Sequence, residues 1–153
     1  MLQIERLNEN NLSDAAELER VNFSDGWSKD ALKEEIDNPD ALYLLVRETE
    51  TDNIIAMAGL IISFDTADVM NVSVLREFRR NNTAFHLLQN LIDEGKGRGV
   101  NNFTLEVREH NIPARRLYEK LGFKYEGTRP YFYKNPEEGA AIYWLRTEEV
   151  TNV

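Results

Sequence analysis

The stretch 104-TLEVREHNIPARRLYEKLGFKYEG-127 changes its hydrophobic period twice within a short distance. Around 102–108, Phe103, Leu105 and Val107 alternate with polar residues, which predicts a strand. Asn111 can cap a helix whose first turn tolerates Pro113. The apolar positions of that helix are Ala114, Leu117, Tyr118 and Leu121, and Gly122 suits the left-handed residue that ends it. A strand, a helix and a further strand from 123 therefore follow one another.

The rest of the chain adds more strands than helices. Apolar runs predict strands at 2–7, 41–48, 54–63, 69–74, 123–128 and 139–146. Helices are expected after the potential caps Asn11 and Ser28, and from about 82 to 96, where Gly95, Gly97 and Gly99 end the pattern. The segment 129-RPYFYKNPEE-138 is expected to be an aromatic loop between the last two strands.

This order of elements predicts the fold class. It is βααβββαβαββ, an α/β (α+β) arrangement with a mixed central sheet of six to seven strands and helices on both faces. The strand–helix–strand crossover from 69–74 to 102–108 requires a parallel pair in an otherwise antiparallel sheet. We expect residues 1–153 to form a single domain, with a ligand site where the connectivity changes.

Composition excludes several classes of function. The net charge of −9 disfavours a nucleic-acid partner and mildly favours a cationic one, such as an amine or a basic peptide. With no cysteine and two histidines that are not paired as ligands, neither a disulfide framework nor a metal site is expected. The N-terminus lacks an apolar signal segment and no apolar run is long enough for a membrane span, so a cytoplasmic location is expected.

The loop in 78-FRRNNTAFHLLQNL-91 leaves a strand and enters a helix. The first N–H groups of a helix have no internal partner, so they form an anion site, to which Arg79 and Arg80 add positive charge. Such loops favour glycine, and asparagine is the next best residue for a positive φ angle. Taken alone, two arginines beside a helix start more often belong to a solvated cap than to a ligand site.

Three other polar residues allow both a chemical and a structural interpretation. Glu106 lies on the polar side of a strand that otherwise reads as interior, where it is either a general base in a cleft or a surface carboxylate paired with Arg108. Tyr118 is either a packed core tyrosine or a proton donor. Asn111 is a helix cap in the simplest interpretation.

Together these segments resemble the GNAT superfamily of N-acetyltransferases, over nearly the whole chain. The resemblance is strongest in 71-NVSVLREFRRNNTAFHLLQNLIDE-94 and in the stretch 104–127, and 23-FSDGWS-28 is similar to the family's entry to its second helix. Within the superfamily, the chain is most similar to the ribosomal-protein-alanine N-acetyltransferases. These enzymes acetylate a protein N-terminal amine with acetyl-CoA.

The resemblance implies a role for particular residues. Glu106 would be the general base and Tyr118 the general acid, and Asn111 would contact the CoA arm. The binding site for acetyl-CoA would also include the backbone of the strand at 69–74, at Val72, Ser73 and Val74. The loop that follows would bind the diphosphate through Arg79, Arg80, Asn81, Asn82, Thr83, Ala84 and Phe85. On the acceptor side, the resemblance implies Trp27, Tyr131 and Tyr133, for which simple packing remains an alternative.

One position departs from the family pattern. Asn82 stands where the family's loop, Q/R-x-x-G-x-G/A, has its central glycine, whereas Arg79 and Ala84 fit the ends. The question is whether Asn82 takes the positive φ of that glycine.

Three functions follow as hypotheses. The first is an acetyltransferase for protein N-terminal amines, with a ribosomal protein as partner. The second is an acetyltransferase for a small amine, such as a polyamine or aminoglycoside. The third is a GNAT-fold binding module with impaired cofactor binding, motivated by Asn82. The resemblance implies acetyl-CoA as co-substrate, no metal, and a monomer or weak homodimer.

Overall fold

The computed structural model describes residues 1–23 and 26–147, which carry the predicted order of elements. Within these ranges, the elements are β1 (Leu2–Arg6), α1 (Leu12–Asn22), α2 (Lys29–Ile36), β2 (Ala41–Glu48), β3 (Asn53–Ser63), β4 (Thr66–Val74), a 3-10 turn (Arg76–Phe78), α3 (Thr83–Gly97), β5 (Asn102–Arg108), α4 (Ile112–Lys120), β6 (Lys124–Tyr133) and β7 (Glu138–Arg146). None of the helices among these residues is long and apolar enough to cross a bilayer.

All seven described strands join one sheet in the order β1-β2-β3-β4-β5-β7-β6. The β4–β5 pair is parallel and every other described pair is antiparallel, which confirms the predicted mixed sheet. The switch from antiparallel to parallel pairing follows from the helical crossover through α3, which returns the chain to the same end of the sheet.

The sheet separates two apolar clusters. Residues 54–60 of β3 are buried throughout, because helices cover both faces of this strand. On one face, α1 and α2 contribute Leu12, Ala15, Leu18 and Leu32. On the other face, α3 contributes Leu87, Leu88, Leu91 and Ile92 and α4 contributes Tyr118. Helices on both faces therefore hold the middle strands in place from two sides.

Two of the three predicted helix caps are confirmed. The Ser28 hydroxyl accepts from the N–H of Ala31, and the Asn111 side chain accepts from the N–H of Ala114. Asn11 precedes α1 but makes no cap bond through its side chain. Its amide is buried and bonds instead to Glu5 and to the carbonyl of Arg6, which ties the start of α1 to β1.

The prediction of a loop at 129–138 was wrong, because β6 continues to Tyr133. Pro130 made a strand improbable, yet β6 is an edge strand, where a missing N–H costs little. Register shifts and positive φ angles at Gly127 and Tyr131 let the strand kink while it stays paired with β7. Similarly, β4 begins at Thr66 instead of 69, because the turn from β3 is shorter than expected.

Gly95 was expected to help end α3, but it lies inside the helix and is buried. A Cβ at this position would lie 2.8 Å from the ring of Phe103 and 3.0 Å from Leu60. Glycine is therefore required here by the close approach of α3 to the sheet.

This close approach predicts that Gly95→Ala lowers the free energy of unfolding by about 1–3 kcal/mol, through overpacking. Gly97 is a matched control in the same helix, because an added Cβ would meet nothing within 4 Å. Gly97→Ala should leave stability unchanged or raise it by up to about 1 kcal/mol. Urea denaturation of both variants measures the difference, and equal stability of the two would contradict the packing argument.

Candidate active site

A cleft opens where β4 and β5 separate. Their paired register covers Thr66–Asp68 on β4 and Asn102–Thr104 on β5, at the start of each strand. Further along, β4 contains a bulge. Met57 is opposite Ser73 and Gly59 is opposite Met70, so one residue of β3 lies between these pairs and two residues of β4 do. A bulge bends its strand. Residues 69–74 and 105–108 are therefore not paired with each other, and the space between them, at the carboxyl ends of parallel strands, is called the gap.

The backbone of Val74 faces this gap. Val74 is opposite Ala56, and the neighbouring N–H of Leu75 donates to the carbonyl of Ile55 at 2.8 Å. This pattern makes Val74 and Ala56 a non-hydrogen-bonded pair, so the N–H and carbonyl of Val74 point away from β3. The Val74 carbonyl accepts from Asn22 and Arg79, and its N–H points into the gap.

The start of α3 lies beyond the end of β4 and has the geometry of an anion site. Asn82 has φ 59° and ψ 15°, so it takes the left-handed conformation for which such loops use glycine. The first helical bond runs from the N–H of His86 to the carbonyl of Asn82, which leaves the N–H groups of 82–85 available. The hydroxyl of Thr83 is buried and has no partner among the described residues. This donor set fits a diphosphate.

The two arginines of the loop differ in their contacts. The Nε of Arg79 donates to the Val74 carbonyl at 3.0 Å, and one of its terminal nitrogens lies 3.4 Å from the Asn22 side chain. Arg79 therefore braces the end of β4, and a phosphate contact would require it to change partners. Arg80 and Asn81 are exposed beside the start of the helix.

Glu106 lies on the β5 wall of the gap, with 34% of its side chain exposed. Its Oε2 is 3.3 Å from a terminal nitrogen of Arg129, which also lies over the ring of Phe132. The alternative pairing with Arg108 is not found. Arg108 instead binds Glu138 and the carbonyls of the β6–β7 turn. Glu106 is thus a partly exposed carboxylate whose partner is a displaceable cation.

Two phenols, Tyr133 and Tyr118, have raised pKa values. Burial first, and then the Glu106 carboxylate, raises the pKa of Tyr133. Burial first, and then Tyr133, raises the pKa of Tyr118, which lies in the core against Phe123. A phenol with a raised pKa keeps its proton at neutral pH but is a weaker acid, so both groups are present as hydrogen-bond donors. Tyr133 interacts electrostatically with both the predicted base and the predicted acid.

The remaining predicted residues lie on several different elements. Asn111 caps α4, and a contact with the CoA arm stays a prediction. Trp27 packs against Tyr43, with ring centroids 6.4 Å apart. Tyr131 is 70% exposed on the kinked part of β6, and the guanidinium of Arg108 covers the ring of Tyr133 at 4.5 Å. The aromatic residues therefore belong to two different segments, one before α2 and one on β6.

Sequence reasoning missed three residues of this region. Arg129 was read only as part of a loop, although it contacts the predicted base. Asn71 is the positive-φ residue of the β4 bulge, and its only sequence signal was an amide inside an apolar strand. Glu19 is buried beside it on α1, where the sequence resembles an ordinary solvated helix.

Comparison with known proteins identifies the class. Residues 12–123 match the acetyltransferase (GNAT) family, and the chain belongs to that family. It is an acetyltransferase, and GNAT acetyltransferases use acetyl-CoA as the acetyl donor.

Several relatives have a more specific name. The chain is 34% identical to the [ribosomal protein bS18]-alanine N-acetyltransferase of Haemophilus ducreyi, over 88% of this chain and 90% of that protein. It is 30% identical to a putative enzyme of the same name from Bacillus subtilis, over 87% of each chain.

Solved structures show the same fold. The ribosomal-protein-S18-alanine N-acetyltransferase from Escherichia coli superposes with a TM-score of 0.87 at 28% identity, covering 99% of this chain and 97% of that one. The spermidine/spermine N-acetyltransferase SpeG from Vibrio cholerae superposes with a TM-score of 0.79 at 19% identity, over 95% and 92% of the two chains. The second similarity shows the fold alone.

The conformation of Asn82 predicts how the loop responds to substitution. Asn82→Gly keeps the left-handed conformation, so CoA binding should stay within about twofold of the unsubstituted protein. Asn82→Ala strains the same backbone by about 1–2 kcal/mol, so stability should fall and the dissociation constant for CoA should rise severalfold. Calorimetric titration with CoA and a thermal melt test both effects. Unchanged binding and stability in Asn82→Ala would show that the loop does not depend on this conformation.

Proposed function

We propose that the protein transfers an acetyl group from acetyl-CoA to the N-terminal α-amine of a protein, with a ribosomal protein as acceptor. The observation that carries the chemistry is the position of Glu106 on β5, where the pairing with β4 has ended, together with the half-buried phenol of Tyr133 and the buried phenol of Tyr118. The acceptor class is supported by relatives that cover most of the chain and carry the name of bS18-alanine N-acetyltransferases.

On the donor side, the free N–H groups of 82–85 would bind the diphosphate, with Arg80 beside them. The pantetheine arm would then lie along the open edge of β4 and lead to Val74, as an added strand would. The N–H of Val74 faces the gap and would donate to the thioester oxygen as negative charge develops there. When bound, acetyl-CoA supplies an acyl group on a good leaving thiolate.

On the acceptor side, Glu106 would accept a proton from the incoming ammonium, directly or through water, and so release the nucleophilic amine. The amine nitrogen would then bond to the acetyl carbon, the bond from that carbon to sulfur would break, and the nitrogen would release its surplus proton to solvent. Tyr118 would donate its proton to the departing thiolate, which leaves as the thiol, and would regain a proton from solvent. Holding both substrates in one gap would supply much of the acceleration.

For Glu106 to act, Arg129 has to release it. Both members of this ion pair are partly exposed, and solvent-exposed pairs contribute only about 0.2–1 kcal/mol, so an ammonium of the acceptor would replace the guanidinium at small cost. The net charge of −9 also suits a cationic acceptor.

The observation that suggested a binding module no longer supports that hypothesis. It rested on the missing glycine, and Asn82 adopts the conformation that this glycine would have supplied. The small-amine hypothesis is supported only by a fold similarity at 19% identity, which carries no information on the substrate.

The acceptor class is tested by incubating the protein with acetyl-CoA and a peptide that begins with alanine, and by recording the mass. We expect one added acetyl group, located on the α-amine. The same peptide with a blocked N-terminus and an internal lysine should remain unmodified. Labelling of spermidine but not of the peptide would contradict the proposal in favour of a small amine.

The role of Glu106 predicts a separation of binding from turnover. Glu106→Gln should lower kcat by about 100-fold or more, because the amide cannot accept the proton, while CoA binding stays nearly unchanged. Glu126→Gln is a matched control, since Glu126 is also a strand carboxylate paired with an arginine, Arg146. The control should keep its turnover. A Glu106→Gln variant with full activity would rule out this carboxylate as the base.

A further inference from the structure

Glu19 is a buried carboxylate that the proposed reaction does not use. It lies on α1 and is 1% exposed. Its Oε1 accepts from the side-chain amide of Asn71 at 2.8 Å and from the backbone N–H of Trp27 at 3.4 Å. Its Oε2 has no partner among the described residues. Burial raises the pKa of Glu19, although the bonds from Asn71 and Trp27 lower it in part.

A carboxyl group in such a position lowers the stability of the fold, so its presence calls for a functional reason. Burying an incompletely paired carboxylate is unfavourable, and an apolar side chain would fill the same space more stably. Glu19 therefore has to be explained by what its bonds hold in place.

One of these bonds holds the bulge of β4. Asn71 has φ 54°, an unusual conformation for a residue in a strand. Its side-chain oxygen accepts from the hydroxyl of Tyr43 at 2.8 Å, while its amide nitrogen donates to Glu19. Both ends of the Asn71 side chain are thus fixed, which maintains the bulge that separates β4 from β5.

The other bond holds the segment before α2. The N–H of Trp27 bonds to Glu19, and the Trp27 ring packs on Tyr43. At Gly26, a Cβ would lie 2.6 Å from the carbonyl oxygen of Glu19, so this segment is pressed directly against α1. A single carboxylate therefore connects the segment that carries Trp27 with the strand that leads to Val74.

A second residue of α1 reinforces this connection. Asn22 lies one turn after Glu19 and donates from its side-chain amide to Ser73 Oγ and to the carbonyl of Val74. Beyond the paired start of β4, where β5 no longer supports the strand, side chains from α1 hold it instead.

We propose that Glu19 is a positioning residue, which sets the distance between the acceptor-side segment at Trp27 and the thioester-side strand at Val74. This proposal rests on the proposed function, because it assigns the two substrates to these two walls. Glu19 does not contact the reacting atoms in this proposal. Its essential property is that Oε1 accepts hydrogen bonds, for which a negative charge is not required.

Kinetics of Glu19→Ala and Glu19→Gln test the proposal. Glu19→Ala removes the acceptor of both N–H groups, so kcat/KM for an alanine peptide should fall by about tenfold or more. The dissociation constant for CoA should stay within about twofold, because the diphosphate site at 82–85 lies on a separate element. Glu19→Gln should restore most of the activity, because its oxygen can accept the same two hydrogen bonds. Glu17→Ala is the control, an exposed glutamate on the same helix that pairs with Arg20.

A variant of the partner residue keeps the test valid if Glu19→Ala fails to fold. Asn71→Gly retains the positive φ but removes the amide, so it should show the same loss of kcat/KM with CoA binding preserved. The double variant Glu19→Ala/Asn71→Gly should be no worse than the more damaged single variant, since both remove one connection.

The outcomes separate this proposal from the function on which it rests. If the unsubstituted protein acetylates the peptide and Glu19→Ala does so equally well, the positioning role is wrong. If a folded Glu19→Ala variant loses CoA binding and turnover together, or if Glu19→Gln is as damaged as a folded Glu19→Ala, the proposal is also overturned. Absence of peptide acetylation by the unsubstituted protein would refute the proposed acceptor itself.

Discussion

The separation of β4 from β5 is the constraint on which the rest of the site depends. Two parallel strands that start as neighbours would normally pair along their whole length, and here the pairing covers only their first residues. The bulge at Asn71 bends β4 away and leaves backbone groups of Val74 without a strand partner. Such groups are costly to bury, so the open edge requires a ligand, solvent or side chains. In the proposed function, the same opening would provide both the space for the reaction and hydrogen-bond donors for it.

The three ionisable side chains proposed for the reaction differ in how deeply they are buried. Glu106 is partly exposed and pairs with Arg129, Tyr133 is half-buried, and Tyr118 lies in the core. The carboxylate is therefore accessible to an ammonium, whereas burial keeps the phenols protonated. In the proposed mechanism, proton acceptance would occur at the mouth and proton donation in the interior. Separate environments would then allow one small site to perform both steps at the same pH.

The sequence predicted much of the fold because each period change is local. Alternation over 102–108, the cap at Asn111 and the turn at Gly122 depend on neighbours in the chain, and the structure confirms each of them. Gly95 and the end of β6 were mispredicted because their conformations depend on distant packing. Phe103 excludes a side chain at Gly95, and β7 keeps a kinked edge strand in the sheet. Glu19 gave no signal at all, since a buried and a solvated glutamate look alike in a helix.

The central claim is that acetyl-CoA occupies the gap between β4 and β5, with its diphosphate at the start of α3. Titration of the ¹⁵N-labelled protein with acetyl-CoA, followed through backbone amide NMR signals, tests this claim most directly. We predict that the largest shifts fall on Val74 and on residues 82–85, whose N–H groups face the proposed ligand. Shifts confined to other surfaces, with these amides unchanged at saturation, would contradict the account.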